Sequence, residues 1–89
     1  MHEEMIEIDL DGNAVAVPRE VVSDLAAAAA ARAGVSGRHR DLSLHLHRAL
    51  QSGRVTLGRG LVRALVAVIE EGHPDRFGPG AAELVRAVA

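Results

Sequence analysis

Hydrophobic and polar residues alternate near the start of this chain. Ile6, Ile8 and Leu10 are separated by Glu7 and Asp9, so the apolar side chains recur at every second position. A period of two is typical of a β-strand with one buried face. We therefore predict a strand that begins near residue 5 and lies on a hydrophobic core.

The residues after this strand predict a tight hairpin. Asp11-Gly12 is typical of a type I′ turn, because both central positions of that turn need a positive φ. Ala14 to Val17 is then the return strand, and the predicted hairpin covers residues 4–17. A lone hairpin is marginally stable in water, so we expect it to pack on helices or to pair with a second copy.

Helical spacing replaces the alternation in the rest of the chain. It predicts helices over about residues 18–33, 41–52, 56–71 and 79–88. Pro18 suits a first helical position. Residues 36–40 are expected to be a connector, and Phe77 is expected to return to the core. The predicted fold class is α+β: a single small domain over residues 1–89, with an N-terminal antiparallel β-hairpin packed on a small bundle of three to four helices.

The predicted helix over residues 56–71 has an unusually wide apolar arc. Arg59, Arg63 and Glu70 occupy only a narrow polar strip, whereas a surface helix has an apolar stripe roughly 100° wide or somewhat more. We therefore expect this helix to be covered on two sides, the second cover being supplied by the fold, a second copy or a partner. Thr56 is the expected N-cap.

Two glycines, Gly58 and Gly60, lie at the start of that helix. We expect Gly58 and Gly60 to allow tight packing against the alanine-rich run of the first helix.

Leu44 lies opposite the apolar stripe of its own helix. The predicted interface residues are Leu44, Val62, Val66 and Ile69. They favour a non-enzymatic protein–protein interaction module, an adaptor or regulatory subunit, that acts as a homodimer.

Composition removes several classes of chemistry. The chain has no Cys, so disulfides and thiolate sites are excluded, and Phe77 is its one aromatic residue. All ten basic residues are Arg, and the net charge is −2. Acidic side chains are concentrated in the first thirty residues, and arginines are concentrated in residues 31–66. No signal peptide or membrane span is predicted, so the expected location is cytoplasmic.

The Arg-rich middle supports an alternative function. Residues 42–71 have about the length of a helix-turn-helix with a Gly in the turn. Arg54, Arg59 and Arg63 would then lie together and contact phosphates or guanine edges of DNA. The second helix is too apolar to lie open in a groove, and the chain is acidic overall. DNA binding is therefore the alternative to the interaction module.

Two spacings resemble metal sites and fail on geometry. The spacing of Asp9, Asp11, Asn13 and Glu20 matches that of the carboxylate and amide ligands in a calcium-binding loop. The position that needs Gly is Ala14, and a hairpin explains the acidic turn better. His45 and His47 project about 200° apart on a helix. No catalytic motif is present, so we expect no enzyme activity, metal or cofactor.

Overall fold

A computed structural model describes residues 4–34, 37–71 and 77–88, and it confirms the α+β class. The elements in chain order are β1 (Met5–Leu10), β2 (Asn13–Pro18), α1 (Arg19–Ala31), α2 (Gly37–Ser52), β3 (Arg54–Leu57), α3 (Arg59–Glu71) and α4 (Pro79–Val88). The last helix has the predicted bounds. α2 begins earlier than predicted, so residues 37–40 are helical rather than part of a connector. No helix within the described ranges is long and apolar enough to cross a membrane.

The sheet has three strands in the order β2-β1-β3. β1 pairs antiparallel with β2 through the predicted hairpin, and the turn residues Asp11 and Gly12 have φ values of 55° and 106°. These positive values are what a type I′ turn requires. Ile6, Ile8 and Leu10 face inward and are almost completely buried. The alternation of β1 is therefore explained by one face covered with helices and one face open to solvent.

The third strand was not predicted, and it corrects the expected start of the central helix. Thr56 is a β3 residue rather than an N-cap, and α3 begins at Arg59. Gly53, with a φ of 87°, ends α2 and turns the chain into β3. The backbone N–H groups of Glu7 and Asp11 donate to Gly53 O at 3.0 Å and to Leu57 O at 3.1 Å. β3 is thus joined in parallel to β1. Because this strand lies between α2 and α3, the predicted helix-turn-helix over residues 42–71 is wrong.

The helices that precede β3 pack on the inner face of the sheet. α1 lies over β2 and β1, and α2 lies over β3 and β1. Where α1 and α2 meet, small side chains such as Ala26 and Ala29 are buried and let the helices approach closely. Ser43 is also buried there, and its hydroxyl donates to Ala26 O at 3.3 Å. This bond satisfies a hydroxyl that would be costly to bury alone.

The wide apolar arc of α3 is covered within the chain. Helices α1, α2 and α4 all contact α3. Its buried residues are Val62, Ala64, Leu65, Val68 and Ile69. Arg59, Arg63 and Glu70 remain exposed in the expected polar strip. Cover on two sides, as the arc predicted, is therefore provided by the fold itself, and Phe77 is also buried, at 4% exposure.

Close backbone approach occurs at a different glycine from the two that were predicted. A Cβ at Gly58 would meet nothing within 4 Å, and one at Gly60 would meet only the Arg38 side chain at 3.9 Å. Neither glycine contacts the alanine-rich helix, so that expectation is wrong. At Gly80 a Cβ would lie 3.1 Å from Cδ of Pro18 and 3.4 Å from Val21. Gly80 is therefore where α4 closes tightly on the β2–α1 junction.

The different surroundings of Gly80 and Gly60 predict opposite effects of an alanine substitution at the two positions. Gly80→Ala should lower the free energy of unfolding by about 1–3 kcal/mol, because the rigid Pro18 ring leaves no room for a methyl group. Gly60→Ala should raise it by up to about 1 kcal/mol, because it adds helix propensity without a clash. Urea denaturation of both variants measures the difference. Equal effects would contradict the close packing of α4.

Candidate functional site

One surface cleft brings together residues from both functional hypotheses. It lies between the hairpin turn, the first turns of α3 and the end of α4, and its volume is about 430 Å³. We call it the α3–hairpin cleft, and it is lined by Leu10, Asp11, Asn13, Arg59, Val62, Arg63, Val66 and Val88. Its wall is thus aliphatic and its rim is basic, although the residues come from three separate parts of the chain.

The rim arginines are only loosely engaged. Arg59 Nε lies 3.9 Å from Asp11 Oδ2, and the two side chains are 79% and 57% exposed. Such an exposed pair stabilises the fold by about 0–1 kcal/mol. Arg63 is exposed and makes no ion pair with any described residue. Both arginines lie near the N-terminus of α3, whose partial positive charge adds to theirs. The rim therefore attracts anionic groups.

The predicted interface residues fall into three different environments. Leu44 is 52% exposed on the solvent side of α2, and it does not line the cleft. Val62 and Val66 line the cleft, Val62 as a buried residue and Val66 as a half-buried one. Ile69 has no exposed surface. In this fold Ile69 belongs to the core, and the residues within reach of a partner are Leu44 and Val66.

The three arginines of the DNA-binding alternative are not on one surface. Arg59 and Arg63 share the α3–hairpin cleft. Arg54 is the register partner of Glu7 in the sheet, on the face opposite the helices. The structure thus separates the residues that a helix-turn-helix would have brought together.

The histidine and carboxylate spacings have structural explanations. The ring Nδ1 atoms of His45 and His47 lie 2.7 Å and 2.8 Å from the carbonyl oxygens of Asp41 and Ser43, one turn earlier on α2. Asp9 Oδ1 accepts the backbone N–H of Gly12 at 2.8 Å within the hairpin turn. Among the residues of known placement, no group of three or more His, Asp or Glu side chains is arranged to hold a metal ion.

A second groove was missed because β3 was assigned to a helix. It spans β1 and β3 on the face of the sheet opposite the helices, has a volume of about 510 Å³, and is lined by Glu7, Asp9, Ser52, Arg54, Val55 and Thr56. A signal for this strand was present in the sequence. Gly53 and Gly58 bracket a short segment with β-branched Val55-Thr56, which is typical of a strand rather than a helix start.

Comparison with known proteins does not identify a relative. No protein-family model matches the chain, and no curated protein or solved structure is significantly similar to it. The function therefore has to be argued from surface grooves and the exposed residues around them.

The division between core and surface on α3 is directly testable. Ile69→Ala should lower the free energy of unfolding by about 2–5 kcal/mol, because it leaves a cavity in the core. Val66→Ala, one turn away on the cleft wall, should cost less than about 1 kcal/mol. Urea denaturation measures both, and Ile69→Val gives a milder core change if the alanine variant does not fold. A small effect of both Ile69 variants would place Ile69 at the surface.

Proposed function

We propose that this protein is a non-enzymatic protein–protein interaction module, an adaptor or regulatory subunit of the cytoplasm, that works as a homodimer. The observation that carries the proposal is the α3–hairpin cleft, where half-buried Val66 adjoins exposed Arg59 and Arg63. Protein interfaces commonly combine an apolar centre with a polar rim, and arginine is enriched in them.

The chemistry of the cleft favours a protein segment as its occupant. An aliphatic side chain can be buried against Val66 and Val88, and a neighbouring carboxylate can pair with Arg63. Apolar burial contributes roughly 25 cal/mol per Å² before the costs of association. The arginines would mainly fix the orientation of the segment and increase its rate of encounter.

Self-association is supported by a different residue. Leu44 and Met5 are the large hydrophobic side chains that remain exposed in the described part of the chain. Leu44 lies on α2, the helix over β3. A two-fold dimer would also present two α3–hairpin clefts, which would raise the avidity for a partner that carries two binding segments.

The solution mass tests the homodimer. Light scattering on a sizing column, at low and at high salt, should give a dimer at both, because apolar burial is not screened by salt. Leu44→Glu should weaken the dimer at least about tenfold. Ala30→Glu adds the same charge at an exposed position of α1 and should leave the mass unchanged. A wild-type monomer at all concentrations would contradict the proposal.

Binding of duplex DNA tests the alternative function. A DNA-binding regulator would bind duplex DNA more tightly as the salt concentration falls, and Arg59→Ala with Arg63→Ala would abolish that binding. The interaction module is expected to show no such binding even at low salt, because the chain is acidic overall and Asp11 lies beside Arg59. Fluorescence anisotropy with a labelled duplex distinguishes the two.

A further inference from the structure

The outer edge of β3 has backbone groups that the sheet does not use. The bonds from Glu7 and Asp11 to Gly53 and Leu57 fix which β3 residues face β1. In that register the N–H and C=O groups of Arg54 and Thr56 point away from β1. Within the described chain, the hydrogen bond found on this edge is from the Ser52 hydroxyl to Arg54 O, at 2.8 Å. A carbonyl oxygen has two lone pairs, so Arg54 O can accept a second bond.

The opposite edge strand, β2, is packed against α4. α4 follows β2 from end to end: Gly80 packs near Pro18, and Asn13 Nδ2 donates to Ala87 O at 3.4 Å. Pro18 also lacks a backbone N–H. β3 is the other edge strand, and its outward groups belong to Arg54 and Thr56, which are both exposed.

We propose that β3 pairs antiparallel with β3 of a second copy, which joins the two sheets into one. Arg54 would lie opposite the partner's Thr56, and these residues would exchange backbone hydrogen bonds in both directions. Val55 would face the partner's Val55 across the two-fold axis. This inference rests on the proposed homodimer and assigns its interface.

Charge disfavours a neighbouring register, and two-fold symmetry limits the assembly to two copies. A register with Arg54 opposite the partner's Arg54 would oppose like charges, which destabilises a strand pair. In the proposed register Arg54 lies between Glu7 of its own chain and the partner's Thr56. Two-fold pairing uses the same edge of both copies, so it forms a closed dimer and does not propagate through β3.

A single cysteine tests the pairing, because the chain has none of its own. Across the proposed axis Val55 forms a non-hydrogen-bonded pair with Cα atoms roughly 4.5 Å apart, which is within disulfide range. Val55→Cys should therefore be oxidised to a covalent dimer at least about tenfold faster than Val15→Cys. Val15 is a matched control, because both valines are half-buried register partners of Ile8, on opposite sides of β1.

The outcomes separate this inference from the proposed function. If the wild type is a dimer by light scattering but Val55→Cys and Val15→Cys cross-link equally or not at all, strand pairing is overturned and the homodimer stands. A monomeric wild type overturns both.

Thr56→Pro adds a second measurement. The substitution removes an outward N–H that the sheet does not use, so the variant should stay folded by circular dichroism and become monomeric. Thr56→Val should remain a dimer. A folded, dimeric Thr56→Pro protein would also overturn the pairing.

Discussion

The fold depends on β1 being paired along both of its edges. One partner, β2, follows at once through a tight turn, and the other, β3, returns only after two helices. With both edges paired, Ile6, Ile8 and Leu10 can be buried without leaving β1 backbone groups unsatisfied. The helices then share one continuous apolar surface made by three strands. A hairpin alone would offer a narrower surface, and α2 would have no strand beneath it.

This arrangement changes how the exposed residues are interpreted. The broad apolar arc of α3 suggests a missing partner when the helix is considered alone, yet neighbouring helices of the same chain cover most of it. What remains at the cleft is half-buried Val66 beside two arginines, and elsewhere the exposed side chains of Leu44 and Met5. A partner would therefore meet a small apolar area with charged neighbours, which is typical of modest affinity tuned by electrostatics.

Local signals allowed much of the fold to be predicted from the sequence. The alternation in β1, the turn at Asp11-Gly12 and the helical spacing after Pro79 each depend on neighbouring residues. β3 escaped prediction because its four residues show little periodicity, and Leu57 also fits the helical spacing of Leu61 and Leu65. The α3–hairpin cleft escaped for another reason: Asn13, Arg63 and Val88 meet only through tertiary packing, which no local pattern records.

The parallel pairing of β1 with β3 also has a kinetic consequence. The chain must close a loop that contains α1 and α2 before the sheet is complete, and the entropy cost of closure grows with loop length. The contact between α1 and α2, with Ser43 against Ala26, reverses the chain and shortens that search. The pair of helices is therefore expected to act as a folding nucleus, and until it forms, a nascent β1 strand emerging from the ribosome carries an unpaired edge.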